Sequence, residues 1–521
     1  MFRQLAQNNK IDNEMLFLGS PEAEAEALPN SQIPLSSVYD DYSNLVAELQ
    51  YEKFIILGRK GSGKSAFAEY ICSIAANQPN MFARFIRKSE TNLESIVQIG
   101  RDNGHNIEIE NLYTWLILTN VLKLFSENQA VQNHSDYKNL NKFLSKNSGF
   151  IDIRESEIKE VVEQKGMEVH TEFLKRFFTA KMDRKFDIKQ EKAPFYKLIP
   201  HLKEVLLKVL KSDIEVENTN SYVLFFDDLD IISNINDERT QNSLLSLIRV
   251  SKEINNEFFA KNSLDSKVVL LLRDDISKYL ASLASDSSKL FSSYSTRINW
   301  YQDEYHQNDD ELSLNIRRFL NKRIEYALNE KDMSVDKTDP WKSLVEDPFN
   351  GSMDFHKSSF KYVLDHTFFR PRDLLLFFYP LSKYNYKFPL SKHDINSLIG
   401  KYCAEVMKEL KNELSCFYSK NQIGMIFNAI IEINDNLKNS LENYISYSKC
   451  LEIIDRNCVD ISASDLLEDM FNRGLIGNVN NNTHFFFKYR EPSHHTYNFN
   501  REHGVILHNS LKIYCENTSS M

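Results

Sequence analysis

The segment that most constrains the fold is the glycine-rich stretch from Gly58 to Ser65, which reads GRKGSGKS. An apolar run, Phe54–Leu57, comes directly before it, and a run of good helix formers begins at Ala66. The chain has only 14 glycines, and three of them lie in this stretch. A strand, a glycine-rich loop and a helix in this order predict a loop that binds phosphate groups.

Each residue type in this loop has a chemical role. The glycines let the backbone curl, so that successive N–H groups face a phosphate oxygen. The helix that follows directs the positive end of its dipole at the same anion. Lys64 is predicted to place its charge near the β- and γ-phosphates, and the Ser65 hydroxyl is predicted to bind magnesium. The predicted nucleotide-binding residues of the loop are Gly58, Arg59, Lys60, Gly61, Ser62, Gly63, Lys64, Ser65 and Ala66.

A second motif supplies carboxylates to the same site. The apolar run Tyr222–Phe226 leads directly into Asp227 and Asp228, which is typical of a buried parallel strand with an acidic end. Ligands of open α/β sheets bind at the carboxyl ends of the strands. Asp227, 162 residues after Ser65, is therefore predicted to hold Mg²⁺ directly or through water. Asp228 is predicted to orient or deprotonate the attacking water, so the two motifs form a Walker A and Walker B pair.

Two further apolar segments predict the rest of a five-stranded core. Lys267–Leu272 is a buried strand that ends at Arg273. Arg273 is predicted to sense the γ-phosphate, the alternative being a local ion pair with Asp274 or Asp275. The segment 295–300 predicts a short strand, in which Arg297 is either an arginine finger acting in trans or part of a structural ion pair.

Composition limits the class of protein. The chain has 521 residues, of which 42% are hydrophobic and 12% aromatic, so we expect a globular protein of two to four domains. The net charge of −10 argues against a generally basic protein that coats nucleic acid. No apolar run approaches the ~18 residues that span a membrane, and the six cysteines form no C-x-x-C pair. We therefore expect a reduced, cytoplasmic protein.

The order of segments predicts four regions. An N-terminal lead-in, 1–50, precedes a P-loop core, 51–305, with a helical insertion at about 105–215. A helical lid, 306–400, and a winged-helix-like domain, 401–521, follow. The lead-in is predicted to be either a clasp over the nucleotide base or a surface wrap. In the lid, four cations on one amphipathic helix are expected to form a solvated face, the alternative being a face that contacts a phosphate or an acidic neighbouring subunit. These cations are Arg317, Arg318, Lys322 and Arg323.

A pair of arginines begins a second lid helix. Arg370 and Arg372 flank Pro371, which suits the first position of a helix, and Asp373 lies in the first turn. Two cations at the positive end of a helix require an anion nearby. A nucleotide phosphate would supply it, so both arginines are predicted to bind nucleotide; Asp373 alone is the alternative.

The C-terminal region has the order expected of a winged helix, with helices first and strands last. Helices are predicted at Lys401–Leu414, Ile423–Ile433, Leu437–Ile454 and Ser462–Phe471, and a strand at Thr483–Arg490. A second edge strand or a final helix is predicted at Arg501–Tyr514. The spacing of His494, His495, His503 and His508 fits no zinc site, so we expect no metal there.

Taken together, these motifs resemble those of ORC-like or STAND-like AAA+ P-loop ATPases. More narrowly, the chain is similar to stand-alone bacterial P-loop ATPases that are often encoded near phage-defence genes. The resemblance is carried by GRKGSGKS, by FFDDLD at Phe225–Asp230, by LRDDI around Arg273, by RPRD at Arg370–Asp373 and by the LIGN step from Leu475. It implies an α/β core, ATP held between core and lid, and an oligomer or docked partner. The Asp at position 228 departs from the Glu usual in AAA+ motors, which suggests slow turnover.

These observations favour an ATPase that acts as a molecular switch on nucleic acid or a partner protein, and the resemblance further implies a role in anti-phage defence. ATP is favoured over GTP because the chain has no Asn-Lys-x-Asp motif for reading guanine. Two other classes use the same loop: a small-molecule kinase and a nucleotide-binding scaffold of slow turnover. DNA or RNA binding by the C-terminal region is left open, because its charge is nearly neutral.

Overall fold

The computed structural model describes residues 15–86, 108–128, 168–170, 192–214, 220–227, 238–283, 285–302, 305, 311–349, 358–442, 444–480, 484–491 and 497–519. These residues form two compact units. The first contains Met1–Tyr42, Lys60–Gly63 and Asn299–Met521, and the second contains Ser43–Arg59 and Lys64–Ile298. Asp228, His494, His495 and most of the predicted insertion lie outside the described residues.

The second unit is built on a five-stranded parallel sheet. Its strands are β1 (Ile55–Gly58), β2 (Met81–Ile86), β5 (Ser221–Phe226), β6 (Ser266–Arg273) and β7 (Ser295–Arg297). The order across the sheet is β2-β5-β6-β1-β7, and every adjacent pair is parallel. The central strands are buried along most of their length, as continuous apolar runs require. The predicted α/β class with a P-loop sheet core is confirmed.

Helices connect the strands, which is what parallel neighbours need. The helices of this unit are Leu45–Glu48, Lys64–Ala75, Ile109–Glu127, Phe195–Ile214, Glu238–Glu253, Asp274–Leu283 and Ser285–Tyr294, with a π-helix at Ile254–Phe259. The short strands β3 (Glu168–His170) and β4 (Lys192–Pro194) pair antiparallel. The register aligns Gly58 at the end of β1 with Arg273 at the end of β6. Gly58, where the predicted phosphate loop begins, and the polar end of β6 therefore share one edge of the sheet.

The first unit is mainly helical. Its helices are Ala23–Ala27, Leu35–Val38, Asn315–Asn329, Pro340–Leu344, Ser359–Leu364, Pro371–Phe378, Lys392–Leu414, Lys420–Lys438, Tyr447–Asn457, Ala463–Asn472 and Asn509–Ser519. Its strands β8 (Ile476–Val479), β9 (Phe485–Phe486) and β10 (Gly504–Leu507) form an antiparallel sheet in the order β10-β8-β9. Among the described residues, no helix has both the length and the apolar character needed to cross a bilayer.

Two predictions for the C-terminal region are wrong. The helix predicted at Leu437–Ile454 is not continuous, because one helix ends at Lys438 and the next begins at Tyr447. Ser446 caps that second helix, its side chain accepting a hydrogen bond from the Lys449 N–H. Of the predicted strand Thr483–Arg490, Thr483 lies outside the described residues; the described part forms a strand only at Phe485–Phe486, and a 3₁₀ turn follows at Lys488–Arg490.

The prediction of a solvated basic face is also wrong for two of its four cations. Arg317 is buried and paired with Asp339 at 2.8 Å. Arg323 is buried in a two-pronged ion pair with Glu26, with nitrogen–oxygen distances of 2.7 and 2.8 Å. Gly19, with a φ of +128°, lies against this pair, and a Cβ there would lie only 2.1 Å from Arg323 Nη1. The lead-in segment therefore supplies the carboxylate that allows an arginine into the core.

The buried pair predicts a large effect on stability. Glu26→Gln leaves the Arg323 charge buried with a neutral partner, so we expect a loss of about 3–5 kcal/mol in the free energy of unfolding, measured by urea denaturation. Glu405→Gln is the control, because its pair with Lys408 has side chains 57% and 68% exposed. That change should cost less than about 1 kcal/mol. Equal losses in the two variants would contradict the assignment.

Candidate nucleotide-binding site

The phosphate loop has the backbone conformation that its glycines allow. Gly61 and Gly63 have φ values of +76° and +98°, in the left-handed region that favours glycine. Directly after them, Lys64 begins the helix Lys64–Ala75. The loop therefore ends at the N-terminus of a 12-residue helix, where backbone N–H groups and the helix dipole favour an anion.

Lys64 is buried, and its ammonium group folds back over the loop. Nζ donates to the carbonyl oxygens of Gly58 at 3.0 Å and of Arg59 at 3.3 Å. These contacts hold a positive charge beside the loop. Arg59 and Ala66 are partly exposed at either side of it, whereas Ser62 is buried.

Ser65 and Asp227 are brought into direct contact. The Ser65 hydroxyl donates to Asp227 Oδ2 at 2.5 Å, and Asp227 is buried. A hydroxyl and a carboxylate are oxygen ligands, which Mg²⁺ prefers, and a nucleotide phosphate and water would complete its shell. The pair therefore fits the predicted magnesium site. Its partner in the prediction, Asp228, lies outside the described residues.

Arg273 also lies at this edge, but its guanidinium is engaged locally. Its side chain is 5% exposed, and Nε donates to Asp275 Oδ1 at 3.0 Å. Nη2 contacts the other carboxylate oxygen of Asp275. Arg297, about half exposed, lies 3.6 Å from Asp274. Both arginines thus have carboxylate partners on the same short segment.

In the first unit, three donors contact the carbonyl groups of the loop apex, Lys60–Gly63. Arg370 Nη1 donates to Lys60 O at 2.9 Å, and the indole Nε1–H of Trp300 donates to Ser62 O at 2.8 Å. The main-chain N–H of Arg372 donates to Gly61 O at 3.4 Å. The structure therefore places the two predicted lid arginines against the loop backbone.

The guanidinium of Arg370 is buried among carboxylates. It forms a two-pronged pair with Asp373 at 2.8 and 2.9 Å and approaches Glu413 at 3.3 Å. Burial alone would lower the pKa of Arg370, but Asp373 and Glu413 outweigh it, so the pKa lies well above its ordinary value. The group therefore remains charged at any physiological pH. Every nitrogen of this guanidinium has a partner.

Arg372 is partly exposed and bridges two other carboxylates. Nε donates to Glu409 Oε1 at 3.0 Å, and Nη2 donates to Glu22 Oε1 at 2.6 Å. Burial raises the pKa of Glu409 above its ordinary value, although Arg372 and Arg370 oppose the shift. The two arginines therefore belong to one charged cluster, in which Arg372 ties the N-terminal lead-in to the helix Lys392–Leu414.

Sequence reasoning missed four of these residues: Trp300, Glu22, Glu409 and Glu413. Glu409 and Glu413 are spaced i, i+4 on one helix, so a shared face could have been predicted from the sequence. Trp300 lies just after β7 and is one of only three tryptophans, but no local pattern reveals its hydrogen-bond partner. Its role is visible only once the chain is folded.

No protein-family model and no curated protein matches the chain. Among solved structures it is similar to the ORC2 protein of Aeropyrum pernix in ADPNP–ADP complexes, at 12% identity and a TM-score of 0.35, with 98% of each chain covered. It is also similar to the ADP form of that protein, at 12% identity and a TM-score of 0.30, covering 99% of this chain and 97% of that one. Both TM-scores are low, so the fold assignment rests on the sheet order and the loop.

The loop geometry predicts the effect of removing its charge. Lys64→Ala should weaken ATP binding about 10- to 100-fold, because a charge-assisted contact with phosphate is lost. Calorimetric titration with ATP measures it. The matched control is Lys267→Ala, because Lys267 also donates to backbone carbonyls, those of Leu49 and Tyr51. The control should lower stability but leave the affinity unchanged; unchanged affinity in Lys64→Ala would contradict a phosphate site.

Proposed function

We propose that the chain binds Mg-ATP and hydrolyses it as a molecular switch. The contact between Ser65 and Asp227 is the main support for this proposal. At 2.5 Å, it joins the two motifs that make up a Walker pair. A glycine-rich turn with no role in phosphate binding would need no carboxylate beside the serine. An acidic strand end that contacts the residue after the loop lysine is the arrangement that holds Mg²⁺ beside a nucleotide phosphate.

The residues divide the chemistry among them. The loop amides and Lys64 neutralise phosphate charge, and Ser65 and Asp227 hold the ion. Mg²⁺ held by Ser65 and Asp227 would offset the negative charge that develops on the phosphate groups during transfer. We assign to Asp228 the orientation of the attacking water. Arg273 serves as the γ-phosphate sensor in this proposal, and it would have to exchange part of its pairing with Asp275 for the phosphate.

The pairing of Arg273 also favours a second candidate, a nucleotide-binding scaffold of slow turnover. An arginine already held at two points by Asp275 loses those bonds when it turns to a phosphate. Slow hydrolysis would follow. Asp228→Asn separates the candidates: a switch loses its phosphate release, whereas a scaffold keeps nearly all of its already low rate.

We propose nucleic acid or a partner protein as the target of the switch, reached through oligomerisation or docking of the C-terminal winged-helix-like domain. From Arg473 onward the chain has five Lys or Arg and three Glu, which gives little net attraction for a phosphate backbone. The role in anti-phage defence rests on the family resemblance alone. A salt-dependent shift of labelled DNA would support nucleic acid, and a change of oligomeric mass with ATP would support assembly.

Asp227 gives the sharpest test of hydrolysis. Asp227→Asn should lower Mg²⁺-dependent phosphate release about 10- to 100-fold, since an ionised ligand becomes neutral. Its matched control is Asp265→Asn, because Asp265 also accepts from a serine hydroxyl, that of Ser221, where β5 begins. Phosphate release is measured at several Mg²⁺ concentrations. Equal rates in the two variants would contradict the metal site, and a phosphorylated metabolite without free phosphate would indicate the kinase instead.

A further inference from the structure

We propose that Trp300, Arg370 and Arg372 are positioning residues that orient the amides of the phosphate loop by holding its carbonyls from the outer side. The inference rests on the proposed nucleotide binding and adds to it residues that act through the loop backbone. None of them needs to touch the nucleotide.

The argument begins with the geometry of the peptide unit. In a planar trans peptide, the C=O of one residue and the N–H of the next point in opposite directions. Among the described residues, the cis peptides are Asp347–Pro348 and Phe388–Pro389, so the units of the loop apex, Lys60–Gly63, are trans. A donor that holds a carbonyl in place therefore also fixes the direction of the next N–H.

Three consecutive peptide units of the apex are held in this way. The carbonyls of Lys60, Gly61 and Ser62 accept from Arg370 Nη1, Arg372 N and Trp300 Nε1, respectively. The N–H groups that belong to these units are those of Gly61, Ser62 and Gly63. Each therefore points away from its donor, and successive amides presented in this manner form an anion-binding nest.

Both side-chain donors are held by contacts of their own. The Trp300 ring packs against Tyr42 and Phe319, with centroid distances of 5.5 and 5.6 Å. Arg370 is fixed by its two-pronged pair with Asp373. The donors are thus placed before any ligand arrives. Binding then needs less ordering of the loop, which is how preorganisation raises affinity.

The contact with Arg372 also explains the glycine at the centre of the apex. A Cβ on Gly61 would lie 2.9 Å from Arg372 Cβ and 3.0 Å from Arg372 Cδ. The φ of +76° excludes most other residues as well. The loop can therefore approach the main chain of the lid helix only where a side chain is missing.

The mechanism makes a prediction that separates it from direct sensing of the γ-phosphate. The amides of the apex bind phosphate groups that ADP, ATP and inorganic tripolyphosphate all have. Losing a carbonyl donor should weaken all three ligands by a similar factor. A sensor of the γ-phosphate would instead weaken ATP and leave ADP unchanged.

The test replaces Trp300 with phenylalanine, which keeps an aromatic ring and removes the N–H donor. We expect Trp300→Phe to bind ADP, ATP and tripolyphosphate each about 3- to 10-fold more weakly, as the loss of one hydrogen bond implies. Trp341→Phe is the matched control, because its buried indole N–H donates to Ser359 Oγ at 2.9 Å in the same unit. That variant should lose stability and keep all three affinities.

A second variant comes from the other donor. Arg370→Lys keeps a charge for Asp373 but has no fork to reach both that carboxylate and Lys60 O. It should show the same parallel loss, so either variant carries the test if the other fails to fold. Wild-type affinity in the folded variants, or a loss confined to ATP, would overturn the inference. If the wild-type chain binds none of the three ligands, the proposed function itself fails.

Discussion

A loop that turns its N–H groups toward an anion must turn its C=O groups the other way, and those carbonyls need donors of their own. Here the outward carbonyls of Lys60 and Ser62 accept from Arg370 and Trp300. The carbonyl of Gly58 accepts from the ammonium group of Lys64. The phosphate loop is therefore a two-sided element, and its outer side depends on residues far away in the chain.

The inner side of the loop, which carries the N–H groups, was largely predictable because the residues that form it lie in one short stretch of sequence. The strand, loop and helix around Gly58–Ser65 follow from a short motif and appear in the structure as β1 and the helix Lys64–Ala75. The strand that ends at Asp227 follows from its apolar run. Parallel strands bring their carboxyl ends to one edge, so the placement of Asp227 and Arg273 there was also foreseeable. The direct contact between the Ser65 hydroxyl and Asp227 could be seen only in the three-dimensional structure.

The contacts on the outer side of the loop could not be predicted, because the residues that make them come together only when the chain folds. The local bond of Arg370 to Asp373 is spaced i, i+3, and the sequence suggested it. Glu413 comes from another helix, and the lead-in residue Glu22 reaches Arg372 across 350 positions. The same reason explains the error at Arg323: an amphipathic pattern shows a basic face but not the distant carboxylate, Glu26, that allows it to be buried.

The residue before Arg370 shows how strongly the contacts on the outer side of the loop depend on the folded structure. Phe369 has a φ of +57°, a strained conformation for an aromatic residue that costs on the order of 1–3 kcal/mol. Packing offsets this cost: its ring lies edge-on to Tyr305 at 4.9 Å, and the Arg490 guanidinium lies 4.9 Å from the ring centre. His508 Nε2 donates to Thr367 O at 3.1 Å, which anchors the same turn. Because Arg490 and His508 flank the C-terminal sheet, the position of the donor to the phosphate loop depends on the C-terminal region as well as on the lid helix.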